Sequence, residues 1–145
     1  MNVAIIPARG GSKRIPRKNV KEFCGKPMIG WSIEAALKSD CFDKVVVSTD
    51  DPEIAEVALK FGAEVPFIRP GSLSDDFTGT TPVIKHAVEA LTADLNETSL
   101  ICCLYATAPF MTPEDLKRGL EKLVTSGSDF AFSVTSYAFP IQRAI

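Results

Sequence analysis

Five cations fall within ten residues near the start of the chain: Arg9, Lys13, Arg14, Arg17 and Lys18. Two adjacent glycines, Gly10 and Gly11, are set among them, and Ser12 and Asn19 add short polar side chains. These residue types together suit a polyphosphate. Glycine lets backbone N–H groups approach phosphate oxygens, while arginine and lysine neutralise the charge. A charge run alone usually marks a solvated face. This one directly follows an apolar stretch, Val3, Ala4, Ile5 and Ile6, that breaks at Pro7, so it sits where a buried strand ends. Neither of the two common phosphate motifs is present. No Gly-x-Gly-x-x-Gly follows the strand, and Gly25-Lys26 runs into Pro27 instead of Ser or Thr.

Other residues are weaker candidates. Asp50 and Asp51 form an acidic pair that invites a metal reading, but Asp51 stands where a helix cap is expected, just before Pro52. Arg69 precedes Pro70, which holds its backbone extended; either it serves a site or it pairs with Asp75 or Asp76. Thr80 can cap a helix, line a site, or both. His86 falls inside a helical pattern and reads as a packed or surface residue. No Ser/His/Asp or Cys/His constellation is visible.

The elements that position these residues alternate between strand and helix. Strands are expected at residues 3–6, 44–48, 63–68, 100–105 and 130–136. Helices are expected at 28–37, from Asp51 to a stop at Gly62, at 81–95, and after the start signal Thr112-Pro-Glu-Asp115. Apolar spacing supplies their buried faces: Ile29, Ile33 and Leu37; Ile54, Val57, Ala58 and Phe61; Val83, Ile84, Ala87, Val88 and Leu91; Leu116, Leu120, Leu123 and Val124. Residues 69–80 read as a long loop of the kind that often carries function. The pattern predicts an α/β fold with a mostly parallel, Rossmann-like sheet flanked by helices. In such sheets ligands bind beyond the carboxyl ends of the strands. The basic loop, Ser48-Thr-Asp-Asp51, Arg69 and the segment from Thr107 to Pro109 all fall at those ends.

The 145 residues suit one domain, and 46% hydrophobic content is ample for a core. The net charge of −2 hides an asymmetry: seven of sixteen cations lie between residues 9 and 26, opposed by Glu22 alone. This favours a local anionic ligand over DNA or RNA. Four cysteines, Cys24, Cys41, Cys102 and Cys103, lack Cys-x-x-Cys spacing, and the adjacent pair sits in an apolar run that reads as buried. A metal cage or disulfide framework is not expected, which suits a reducing cytoplasm. No stretch approaches the ~20 apolar residues that span a membrane.

The segment Ile6-Pro-Ala-Arg-Gly-Gly-Ser-Lys-Arg-Ile-Pro-Arg-Lys-Asn19 resembles the signature of the acylneuraminate cytidylyltransferases. Val47-Ser-Thr-Asp50, Phe67-Ile-Arg-Pro70, Leu73-Ser-Asp-Asp76 and Ala106-Thr-Ala-Pro109 agree, so the resemblance spans nearly the whole chain. Arg14, where the sialic acid enzymes usually have glycine, Tyr105-Ala-Thr-Ala-Pro-Phe110 and Phe139-Pro-Ile-Gln-Arg143 are most similar to the branch that activates pseudaminic acid. The resemblance implies transfer of CMP from CTP to a nonulosonic acid, with release of pyrophosphate. Alternatives are N-acetylneuraminate, legionaminate or a deoxy-octulosonate as the sugar, or an inactive nucleotide-binding fragment.

It further implies that Arg9 and Lys13 contact phosphates together with backbone N–H groups of Ala8, Gly10, Gly11 and Ser12. Lys18 then neutralises the leaving group, Asn19 meets the ribose, and Arg69 and Thr80 lie near the cytosine. Tyr105 and Thr107 fall at the sugar. A glutamine contacts the sugar in the sialic acid enzymes; Tyr105 and Ala106 replace the first two positions of that segment here, which implies a different sugar. Mg²⁺ is expected, with ligands beyond Ile145, and the full-length form is expected to be a homodimer. The 145-residue chain is then the nucleotide-binding part of one cytidylyltransferase domain and poorly active alone.

Overall fold

The computed structural model describes residues 1–96 and 99–136. The expected segment from Phe139 to Arg143 lies outside the described residues.

The first strand, β1 (Asn2–Pro7), is the centre of a parallel sheet. It pairs on one side with β4 (Lys44–Ser48), Val3 opposite Lys44 through Pro7 opposite Ser48. On the other side it pairs with β5 (Leu100–Cys103), Asn2 opposite Leu100 through Ile5 opposite Cys103. Side chains alternate across the strand. Ala4 and Ile6 enter one core cluster with Val45, Val47, Ile29, Ile33, Ile54, Ala58 and Leu116. Val3 and Ile5 enter another with Val46, Ala87 and Leu91. Both faces are covered, which is why β1 and β4 read as unbroken apolar runs.

Three helices supply the first cluster: α1 (Met28–Lys38), α2 (Pro52–Lys60) and α4 (Pro113–Ser126). The fourth, α3 (Thr80–Ala90), supplies the second through Val83, Ala87 and the following Leu91. The caps follow the sequence signals. Asp51 accepts the N–H groups of Glu53 and Ile54, each at 3.0 Å. Thr112 and Asp115 form a reciprocal capping box. Between β1 and α1 lies a small hairpin that the apolar pattern does not announce, β2 (Glu22–Phe23) and β3 (Lys26–Pro27). Its two turn residues, Cys24 and Gly25, both have positive φ, as a tight two-residue hairpin requires.

Some expectations need correction. Residues 63–68 do not form a strand. They make isolated parallel bridges, Val46 with Glu64 and Thr49 with Ile68, because Pro66 has no N–H for a continuous ladder. Residues 130–136 are not a strand either; Phe130, Phe132 and Val134 are over 80% exposed, so no partner strand satisfies them among the described residues. The third helix ends at Ala90 instead of residue 95, and the last strand before α4 ends at Cys103 instead of 105. Leu37 and Val124 are exposed, at the ends of their apolar stripes. Cys103 is exposed on β5, while Cys41 is buried; all four cysteines are free thiols. His86 is packed as expected, its ring edge-on to Phe67.

The contact of α1 with α2 depends on Gly30. A Cβ there would stand 2.7 Å from the Phe61 ring. Gly30→Ala therefore sets a gain of about 1 kcal/mol in helix propensity against an overpacking cost of about 1–3 kcal/mol. A lowered denaturation midpoint is expected; a raised one would show that the Phe61 ring yields without cost.

Candidate active site

The loop after β1 starts from a fixed point. Ala8 is fully buried, and its N–H donates to the Ser48 carbonyl at 2.9 Å, carrying the β1–β4 ladder one residue past the strand. Gly10 follows, its N–H donating to Asp50 Oδ1 at 3.0 Å. A Cβ on Gly10 would stand 2.5 Å from Asp51 Oδ2, so the close approach of the two loops requires glycine. The Ser12 N–H donates to the Gly10 carbonyl at 2.9 Å. Three of the loop N–H groups expected to face phosphate thus bond within the protein. The N–H of Gly11 has no acceptor among the described residues, and nothing stands within 4 Å of where its Cβ would be.

The cations separate into two groups. Arg17, whose backbone has positive φ, reaches back to grip Asp51 with two N–H···O contacts and also touches Glu53. Arg17 is therefore an ion-paired tie and not a freely solvated cation. Its hydrogen bonds to Asp51 raise its pKa, and in return hold the Asp51 carboxyl at about 2. Lys26 lies on the hairpin, 2.7 Å from Glu34 and stacked over Trp31. These two cations shape the protein. Arg9, Ser12, Lys18 and Asn19 instead line a cleft of about 140 Å³ with Pro7, Tyr105, Ala106 and Thr107. Lys18 has no acidic partner among the described residues. Asn19 is buried, and its amide donates to the Arg9 carbonyl at 2.9 Å, so it braces the loop as well as lining the cleft.

A second recess of about 150 Å³ adjoins the first and shares Pro7, Arg9 and Tyr105 with it. Its other walls are Arg69, Thr78, Gly79, Thr80 and Val83. Arg69 does not pair with Asp75 or Asp76. It is 4% exposed and faces Asp50, with Nη2 3.6 Å from Oδ1, too far for a hydrogen bond. Its Nε and Nη2 have no hydrogen-bond partner among the described residues, and burial pushes its pKa down while Asp50 opposes the shift. Such an orphaned guanidinium edge is costly unless an acceptor meets it. Thr80 is the first residue of α3 and not its cap, which is Gly79. Its hydroxyl is free to meet the Tyr105 hydroxyl at 3.1 Å, where the two recesses join.

Asp76 was the residue least legible in advance. Its carboxylate bridges Arg9, at 2.9 Å, and Lys13. Arg9 also donates to the carbonyl of Asp75. Ser32 was missed as well: fully buried on α1, it donates to the Tyr105 carbonyl at 2.9 Å and fixes the chain after β5. A serine within an apolar helix face was its only signal. No three His, Cys, Asp or Glu side chains converge to hold a metal among the described residues. The carboxylates nearest the cleft, Asp50 and Asp76, are engaged by Gly10 and by Arg9 and Lys13, so these residues do not by themselves fit Mg²⁺. No helix of the described residues is long and apolar enough to cross a membrane.

A parallel sheet whose central strand runs through a glycine-containing loop into a cation-lined cleft is an α/β arrangement of the nucleotide-diphospho-sugar transferase type. The family model described as cytidylyltransferase matches residues 3–142, and the chain belongs to that family. It is 53% identical over 143 residues to the pseudaminic acid cytidylyltransferase of Campylobacter jejuni subsp. jejuni serotype O:2, an alignment covering 99% of this chain and 62% of that protein. It is 40% identical over 123 residues to the CMP-N,N'-diacetyllegionaminic acid synthase of Legionella pneumophila, covering 82% of this chain and 51% of the other. A solved CMP:2-keto-3-deoxy-manno-octonic acid synthetase complexed with CTP is similar in structure, with a TM-score of 0.71 and 28% identity over 88% of this chain and 48% of that one. The chain thus spans 62% of the length of the pseudaminic acid relative.

Asp51 joins three features: the α2 cap, the Arg17 grip and the close pass of Gly10. Its folded pKa of about 2 lies below the ordinary 3.8, so the stability it adds is present above pH 3.8 and is lost as pH falls through about 2. Asp51→Ala is expected to cost about 1–2 kcal/mol at neutral pH. The gap from the parent should close as pH is lowered from 4 toward 2. A gap independent of pH in denaturant titrations would show that the charge contributes nothing.

Proposed function

We propose that the whole protein transfers CMP from CTP to a nonulosonic acid, with pseudaminic acid the favoured sugar. The observation that carries this reading is the convergence of Arg9, Ser12, Lys18 and Asn19 on one cleft at the end of β1. The 53% identity to the Campylobacter jejuni enzyme supports the choice of sugar. In the proposed reaction a hydroxyl oxygen of the sugar attacks the α-phosphorus of CTP. The bond from that phosphorus to the pyrophosphate oxygen breaks, and the hydroxyl proton leaves to solvent. Protein side chains contribute position and charge.

Arg9 and Lys13 neutralise the phosphates, with the Gly11 N–H as the backbone donor and Ala8, Gly10 and Ser12 holding the loop in shape. Lys18 balances charge on the departing pyrophosphate. Asn19 meets the ribose. The recess walled by Arg69, Thr80 and Val83 receives the base, where the unpartnered Arg69 N–H groups supply donors for carbonyl and ring-nitrogen acceptors. Tyr105 and Thr107 face the sugar. Mg²⁺ is a proposed requirement of the whole protein. A cytoplasmic setting is supported by the four free thiols; homodimerisation rests on the family resemblance and is checked by light scattering.

The test is pyrophosphate release by the full-length protein with CTP or UTP, against pseudaminic acid, N-acetylneuraminate and legionaminate. Turnover is expected with CTP and pseudaminic acid, lost on chelation and restored by Mg²⁺. Arg9→Ala should lower turnover by at least about tenfold, the loss of one charge-assisted contact of about 1.5–3 kcal/mol. Equal turnover with UTP, or none with any of the acids, would overturn the reading.

A further inference from the structure

The strap of residues 70–79 brings the Asp76 carboxylate onto Arg9, which lines the cleft, and walls the adjoining recess with Thr78 and Gly79. Its ends are tied down. The Arg69 N–H donates to the Thr49 carbonyl at 2.8 Å, and Thr80 begins α3. Between them, Leu73 and Ser74 close short turns onto Pro70 and Gly71. Asp75 Oδ1 accepts the N–H groups of Phe77 and Thr78, at 2.9 and 2.6 Å, which turns the chain at the point where Asp76 meets the basic loop. Phe77, next in line, is 95% exposed and anchors nothing. Among the described residues, the polar contacts that hold the middle of the strap to the body are those made by Arg9 and Lys13.

Those contacts use the groups that a phosphate would use. Arg9 Nη2 meets one oxygen of Asp76 at 2.9 Å, Lys13 meets the other, and Arg9 Nη1 donates to the Asp75 carbonyl. A carboxylate shared between an arginine and a lysine presents the same kind of acceptor pair as two phosphate oxygens. Lys13, first, and Arg9 hold the Asp76 carboxyl below its ordinary pKa, so it is ionised at neutral pH.

We propose that Asp76 is an internal stand-in for phosphate: it bridges Arg9 and Lys13 and is displaced when a triphosphate binds. This rests on the reading that the cleft receives a triphosphate. Asp76 holds the two cations together in the absence of ligand and competes with the ligand for them. Both ion pairs are partly exposed and individually weak, so a polyanion that offers several oxygens at once outcompetes a single carboxylate. Release of Asp76 also frees Thr78 and Gly79, which wall the adjoining recess, so arrival of the phosphates loosens the wall beside the proposed base site.

The experiment compares full-length parent protein with Asp76→Asn by calorimetric titration with inorganic triphosphate, CTP and UTP at fixed ionic strength. Asp76→Asn should bind inorganic triphosphate about three- to tenfold more tightly, the size expected for removing two exposed ion pairs. The same gain should appear for CTP, and should vanish when Arg9→Ala is added. A merely structural role for Asp76 would weaken binding instead. Unchanged or weaker triphosphate binding overturns the proposal. Asp76→Ser, with a thermal melt of each variant, ensures that a poorly folded Asn variant is not mistaken for that result. The two readings fail separately. A triphosphate gain without preference for CTP over UTP keeps the strap and sinks cytidylyl transfer; a CTP preference without the gain does the reverse.

Discussion

The parallel pairing of β1 with β4 is the constraint on which the cleft depends. It extends past Pro7, where a central strand can no longer donate, through the bond from Ala8 to Ser48. That bond places the start of the basic loop beside Ser48, Thr49, Asp50 and Asp51, and the contacts of Gly10 with Asp50 and Asp51 follow from it. Because β1 is buried on both faces, the loop cannot drift without breaking the core. A flexible basic segment would lose entropy on meeting an anion; this one is largely ordered beforehand.

Charge is balanced locally. The excess of cations between residues 9 and 26 does not spread over one surface. Arg17 is taken by Asp51 and Glu53, Lys26 by Glu34, and Arg9 and Lys13 by Asp76. Lys18 alone among the cleft-lining cations is without an acid partner among the described residues. The four acids come from three places, so the loop and the hairpin after it are fastened to α1, to the start of α2 and to the strap. The same residues that make the loop basic also fix its path, and this is why a linear count of charge overstates the positive potential of the site.

Most of the fold was legible. The apolar runs Val3–Ile6 and Val45–Val47 gave β1 and β4 because burial on both faces leaves no polar residue in the middle of either strand. The caps at Asp51 and Thr112 gave the helix starts because they act within one turn of chain. Residues 63–68 misled for the opposite reason: their apolar content suggests a strand, but pairing depends on which N–H groups face β4, and Pro66 has none to give. Residues 130–136 carry the same apolar signal without a partner strand among the described residues. Spacing leaves Thr80 open as a helix cap, a site residue or both; the geometry gives the cap to Gly79 and leaves the Thr80 hydroxyl for Tyr105.

By itself the sequence determined the type of chemistry and the strand that carries it. Glycines, arginines and lysines directly after an apolar run are a local pattern, and local patterns survive without coordinates. The family signature between Ile6 and Asn19 is of the same kind. Only the tertiary structure decided which cations reach the cleft and which serve as ties, because that depends on acids some 8 to 67 residues away in the chain. It also decided that Arg69 is buried beside Asp50 with two nitrogens lacking a hydrogen-bond partner among the described residues, and that Asp76 stands between Arg9 and Lys13. Ion pairs form across distances in space that the linear order of residues does not encode, so the site's occupants are set by how the loops converge at the end of β1.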